Sequence, residues 1–239
     1  MNEEQIKKNY DKSFYGDGDK RKQNAVIVLE NVFEITGKPN SLIDVGCGLG
    51  HWLNVARSEF KINDILGVDG NYVQENDFLI PWKNFKRHNL ENELVMDRKF
   101  DLCMSIETGE HLPPEKATTF VKSLTALSDT VLFSAAAPFQ KGVNHLNENT
   151  PTYWAQKFAL EGFVCFDVIR NVLWNIEGIN CIYPQNMLLF VKRDKASSYE
   201  KQGYIANPTP DLKYHPGYVT KRLITKGKGL KGLIRKWVY

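Results

Sequence analysis

Apolar and polar residues follow one another along this chain in short blocks rather than long periodic runs. Apolar runs near residues 41–45, 64–68, 100–105 and 130–135, with an amphipathic stretch near 84–88, close on acidic, polar or glycine residues. Runs of that length, rich in Val, Ile, Leu and Phe, predict strands. Amphipathic stretches at 51–59 and 115–127 fall between some of them and predict helices, and this alternation implies a parallel sheet with helices on both faces. Further on, 162–169 and 186–192 are strand-like with a connection too short and irregular for an obvious crossover helix, which predicts an antiparallel pair at the sheet edge. Ahead of the first strand, residues 1–35 read as helical, with Tyr10, Phe14 and Tyr15 before a Gly-Asp-Gly break and a second run from Ala25 to Ile35. Residues 194–216, with their Ser, Lys, Asn and Pro, read as a linker.

The first apolar run ends in the densest chemistry of the chain, Asp44-Val45-Gly46-Cys47-Gly48-Leu49-Gly50. Three glycines at every second position let the backbone turn sharply and approach a ligand more closely than a Cβ would permit. A dinucleotide fold would need G-x-G-x-x-G, but His51 stands where the third glycine belongs. An acid within the loop's reach also suits a cationic ligand better than a diphosphate. The second run, Ile65-Leu66-Gly67-Val68-Asp69-Gly70, ends in a carboxylate 19 residues beyond Gly50, placed to accept both hydrogen bonds of a ribose diol.

On these residues the chain resembles the class I S-adenosylmethionine (SAM) methyltransferases, whose first motif matches Asp44, Gly46, Gly48 and Gly50. The resemblance covers residues 1 to about 193. It implies an α/β fold, a seven-stranded Rossmann-like sheet, mostly parallel with an antiparallel edge hairpin. The helices before it would form a lid, and residues 194–239 would be a linker and tail. SAM would be held by Asp44, Gly46, Cys47, Gly48, Gly50, Asp69, Gly70, Asn89 and Ser105, with Asn89 standing where the family usually has Asp near the adenine.

The fourth strand runs into Glu107-Thr108-Gly109-Glu110-His111. Ligands of open α/β sheets sit outside the carboxyl ends of strands, and a helical turn here would put Glu107, Glu110 and His111 on one face. The segment resembles the E-x-x-E-H sequence of methyltransferases that act on hydroxyls with a divalent ion, among them ubiquinone-biosynthesis O-methyltransferases and small-RNA 3′-end 2′-O-methyltransferases. That resemblance implies a metal (Mg²⁺ or Mn²⁺) on Glu107, Glu110, His111 and His145, the last lying after the fifth strand, with His111, Glu110 and His145 as the catalytic set. Two other readings of the same residues stay open: His111 as a metal-free general base, and Glu110-His111 as a structural pair. A narrower resemblance, His145-Leu146-Asn147-Glu148 through Tyr153-Trp154 and Phe158 to Gly162-Phe163, is to bacterial and phage methyltransferases found with surface-polysaccharide genes. It implies a sugar-containing or nucleotide-sugar acceptor, for which aromatic faces and polar side chains are suited, unless the aromatics are the core face of a helix.

Composition narrows the alternatives. The chain has 239 residues, 42% hydrophobic and 25% charged, which is ordinary for one sizeable globular domain. No apolar run approaches the roughly 20 residues that span a bilayer, and the charged N-terminus is unlike a secretory signal. Cys47, Cys103, Cys165 and Cys181 are too widely spaced for a paired metal site and read as free thiols, so a cytoplasmic protein is expected. The net charge of +3 hides an asymmetry: beyond Asp211 there are eight Lys and Arg and no acid, which leaves −5 for the body. The tail suits packing on the body or a second subunit, attachment to the inner face of an anionic membrane, or nucleic acid. The body's −5 argues against an RNA 2′-O-methyltransferase, which needs a basic catalytic surface. A non-catalytic SAM-binding scaffold in glycan assembly is the alternative from another class.

Overall fold

The computed structural model describes residues 18–70 and 74–223. The aromatic run at 10–15 and the tail beyond 223 lie outside them. Helix α1 (Gly18–Thr36) leads into the sheet, whose strands are β1 (Ser41–Val45), β2 (Asp64–Asp69), β3 (Phe85–Arg87), β4 (Leu102–Ile106), β5 (Thr130–Ser134), β6 (Phe163–Phe166) and β7 (Leu188–Lys192). Their spatial order is β3-β2-β1-β4-β5-β7-β6. β3, β2, β1, β4 and β5 are mutually parallel, and β7 runs antiparallel between β5 and β6. The predicted edge pair therefore forms, with Phe163 opposite Lys192 and Phe166 opposite Leu189.

Helices cover both faces, as strands apolar on each side require. α1, α2 (His51–Ser58), α5 (Val168–Leu173) and α6 (Ile182–Asn186) pack on one face around Leu29, Leu53, Met104 and Leu189. α3 (Ala117–Leu127) and α4 (Pro151–Leu160) pack on the other around Phe120, Phe133, Trp154 and Phe158. The sheet order reverses between β1 and β4, which opens the crevice at their carboxyl ends where ligands of such sheets bind.

Two stretches differ from expectation. The connection between β6 and β7 carries α5 and α6, each of six residues or fewer and too short to show a helical period. Residues 194–216, expected as a linker, include α7 (Ala196–Glu200) with Ala196 and Tyr199 buried, and Ala206 bridges to Phe166 of β6. The chain then crosses the body as a strap. Thr152 donates to the Pro210 carbonyl (2.9 Å), and Arg170 Nη1 to that of Asp211 (2.8 Å). It ends as a helix over 216–223.

Candidate active site

The turn after β1 is shaped by its glycines. Gly46, Gly48 and Gly50 all have left-handed φ (87°, 52° and 80°), and a Cβ on Gly46 would run into the Thr108 side chain. Gly46 and Cys47 N–H donate to the Val68 carbonyl of β2 (2.8 and 3.3 Å), and Gly48 N–H donates to Asp69 Oδ2 (2.6 Å). Asp69 Oδ1 accepts from Gly70 N–H at 2.7 Å, so its carboxylate is fixed at the end of β2. Next to it, Asn89 turns its Oδ1 back to Glu91 N–H (3.0 Å).

These residues line one large cleft of about 1680 Å³. That exceeds the roughly 300–1,000 Å³ of an ordinary small-molecule pocket and leaves room for two ligands side by side. Of the nine residues predicted to hold SAM, Gly46, Cys47, Gly48, Asp69, Gly70 and Asn89 are in its wall. Asp44, Gly50 and Ser105 are not. Gly50 is the residue before α2, Ser105 is sealed within the sheet, and Asp44 is buried behind the turn with Oδ2 unpartnered. Burial, and secondarily the nearby Asp69, push the Asp44 carboxyl up to about 8.

The second half of the site forms where β4 meets the loop after β5. Residues Gly109–His111 make one turn of 3₁₀ helix, and the Glu110 carbonyl accepts from Leu146 and Asn147 N–H (2.8 and 2.9 Å). This ties the loop to the turn and brings the His145 and His111 rings to 4.9 Å, edge to face. One ligand atom from each of Glu110, His111 and His145 lies within 4.8 Å of the others. His145 Nδ1 is held by Glu148 Oε1 at 2.7 Å, the carboxylate–imidazole pairing that orients a ligating histidine. Glu110 is buried, its Oε2 has no protein partner, and burial followed by the neighbouring Glu107 raises its pKa well above the usual carboxylate range. Burial, then His145, lowers His111 to about 4, so its ring is neutral at physiological pH. Two imidazole rings, that of His111 neutral, and an orphaned buried carboxyl oxygen are a donor set that fits a divalent cation.

Glu107 does not join this trio, which corrects the expected quartet. The backbone takes a left-handed conformation at Glu107 (φ 51°), and the chain continues as a 3₁₀ turn rather than the α-turn that would have aligned positions i, i+3 and i+4. Its carboxylate turns instead to two amides, accepting from Gln140 Nε2 (2.8 Å) and Asn186 Nδ2 (3.0 Å), while Gln185 Nε2 donates to Gln140 Oε1 (3.2 Å). Burial raises the Glu107 pKa, and these donors partly offset it. No pattern in the sequence pointed to Gln140, Gln185 or Asn186, because they meet only when the loop after β5 and the end of α6 close on β4.

The aromatic run of α4 serves packing. Trp154 and Phe158 are core residues, Phe158 stacks on Phe190 at 3.8 Å, and Tyr153 lies under Lys157. None of the three lines the cleft. Its aromatic surface comes from Trp52, whose ring meets Tyr183 edge-on at 5.3 Å, and from Trp174, whose ring lies 4.9 Å from His215 of the strap. Three of the cysteines are buried, and Cys181 is half-buried in the cleft wall.

Residues 19–171, more than half of the chain, match the family described as "Methyltransferase domain". Among solved structures, the fold is similar to that of Streptomyces venezuelae DesVI, with a TM-score of 0.55 and 15% identity over 77% of this chain and 97% of that one. It is also similar to the methyltransferase domain of bacterial CtHen1-C, with a TM-score of 0.50 and 18% identity over 72% and 97%. At such identities the likeness is one of fold. No curated protein matches the sequence.

Proposed function

The chain belongs to the methyltransferase-domain family, and from that premise we propose that it transfers a methyl group from SAM to a hydroxyl of a sugar-containing acceptor. The gathering of Glu110, His111 and His145 in the wall of a cleft large enough for two ligands carries this reading. SAM, when bound, supplies a methyl group already activated on a sulfonium. What remains for the protein is to align the acceptor oxygen and remove its proton.

The glycine turn and the Asp69 carboxylate are suited to the nucleoside end of SAM. Gly46 leaves space that a side chain would fill, and Asp69 presents a fixed acceptor at the crevice. Glu110, His111 and His145 would hold a divalent cation, which would lower the pKa of an acceptor hydroxyl. Without a cation, the His111 ring nitrogen that faces Glu110 and His145 would be the group to accept the hydroxyl proton instead. Glu107, clamped by Gln140 and Asn186, is positioned beside the trio and helps fix the wall that carries it.

The sugar reading is supported by groups in the cleft wall. Trp174 and Trp52 offer flat apolar faces, and Asn175 and Asn180 offer polar groups beside them. A polynucleotide acceptor is less well served, because the body carries −5.

The test is transfer of labelled methyl from SAM into sugar nucleotides and glycan extracts, with parallel arms in Mn²⁺, Mg²⁺ and EDTA, for the wild type and His145→Ala. Label in a sugar fraction that needs metal and His145 is the expected result. Full transfer in EDTA would remove the metal from the reading. SAM binding with no transfer to any fraction would favour a scaffold.

A further inference from the structure

Five large apolar side chains stand exposed on two segments that border the cleft: Phe139, Val143 and Leu146 on the loop after β5, and Val219 and Leu223 on the helix at 216–223. The two segments are bonded together. Tyr218 Oη and Arg222 Nη2 each donate to the carbonyls of Phe139 and Gln140, at 2.8–3.0 Å, and Tyr214 Oη donates to that of Pro138 at 2.7 Å. Val219 and Leu223 are one turn apart and share a helix face. Val143 and Lys221, one from each segment, both line the cleft, so the two segments form an edge of it.

Single exposed apolar residues are ordinary, but five on two joined segments around an opening are a patch that calls for a partner. Phe139 is 77% exposed on a backbone held at φ 64°, a conformation a phenylalanine rarely adopts. The loop is therefore fixed so that its largest apolar group faces outward. Cations are interleaved with this patch, with Lys141 on the loop and Lys221 and Arg222 on the helix. The sequence continues in the same character. Beyond Leu223 come five more Lys and Arg among Ile224, Leu230, Leu233, Ile234, Trp237 and Val238, with no acid to offset them. Apolar groups that reach the headgroup region, set among cations, are the chemistry that recognises an anionic bilayer.

We propose that this edge of the cleft docks on an anionic membrane surface, with Phe139 and Leu223 entering the interface and the cleft opening toward acceptors held at that surface. This deepens the reading above and rests on it for the acceptor.

The experiment uses the full chain with vesicles of equimolar phosphatidylglycerol and phosphatidylcholine, or of phosphatidylcholine alone, at about 0.1 M and about 0.5 M salt. Phe139→Ser, Leu223→Ser and the double variant are compared with the wild type, and SAM affinity is measured by calorimetry on each. Wild-type binding is expected only to the anionic vesicles and weakened by salt. The double variant should bind them at least about tenfold more weakly with SAM affinity unchanged, since two large apolar groups are then no longer withdrawn from water. No wild-type binding would overturn the proposal. So would equal binding by the double variant, which would place the contact on the tail alone, or a wild-type dimer that the double variant separates, which would assign the patch to a second copy. None of these outcomes touches methyl transfer to a soluble acceptor, so the two readings fail separately.

Discussion

Replacing Arg170 with methionine tests whether the insertion between β6 and β7 is held by a buried charge rather than by apolar packing. The Arg170 side chain has no solvent exposure. Its Nε donates to Asp167 Oδ1 at 2.6 Å, its Nη2 to Asp167 Oδ2, and its Nη1 to the carbonyl of Asp211 on the strap at 2.8 Å. Methionine fills much of the volume but leaves the buried Asp167 carboxylate and the Asp211 carbonyl without their donor. Removing one partner of a buried pair costs about 3–5 kcal/mol. Lys213 Nζ, 3.8 Å from Asp167 Oδ2, remains as partial compensation, which places the expected loss near 3 kcal/mol. For a chain of this size that corresponds to a fall in Tm of roughly 6–12 °C. Equilibrium urea unfolding followed by tryptophan fluorescence would measure it. The double variant Arg170→Met, Asp167→Leu should recover most of the loss, because no charge is then left buried. A single-variant loss below about 1 kcal/mol, or a double variant no more stable than the single, would refute the argument.

Gly46→Ala places a methyl group against Thr108 at a backbone φ of 87°, so SAM affinity by calorimetry should fall at least tenfold; native affinity would show that the turn is not as tight as described. Asp44 has a folded-state pKa near 8 against an ordinary 3.8, so it costs the fold nothing below pH 4 and progressively more as pH rises to 8. Asp44→Asn should therefore gain stability relative to wild type across that window, up to about 5 kcal/mol, and a flat difference in unfolding free energy would contradict it. His111 has the opposite sign. Its folded-state pKa near 4 lies below the ordinary 6.5, so the unfolded chain takes up the proton first and stability is lost as pH falls from 6.5 to 4. In metal-free protein, His111→Gln should remove up to about 3 kcal/mol of that acid sensitivity, read as the difference between the two unfolding-versus-pH curves.

What the sequence determined by itself is local and repetitive. Six of the predicted runs became strands because each is long enough, and apolar enough, to be a strand inside a covered sheet, while β3 is a short edge strand, Phe85-Lys86-Arg87, with its two cations exposed. The turn at Gly46–Gly50 was legible because three alternating glycines have a backbone use wherever they stand, and Asp69 because a strand end fixes where its carboxylate points. The tertiary structure decided matters that depend on residues far apart. Glu107 stands three and four residues before Glu110 and His111, yet a left-handed backbone and two distant amides, from Gln140 and Asn186, engage its carboxyl group outside their cluster. The aromatic residues of α4 read equally well as ligand platform or core until Phe190 and Phe133 arrived to pack on them. The strap read as a linker because it is anchored by single hydrogen bonds, Thr152 and Arg170 donating to its carbonyls and Gln185 Oε1 accepting from His215 N–H, which leave no periodicity to find. Periodic burial is written in neighbouring residues, whereas partnerships between lone polar groups exist only once the chain has folded.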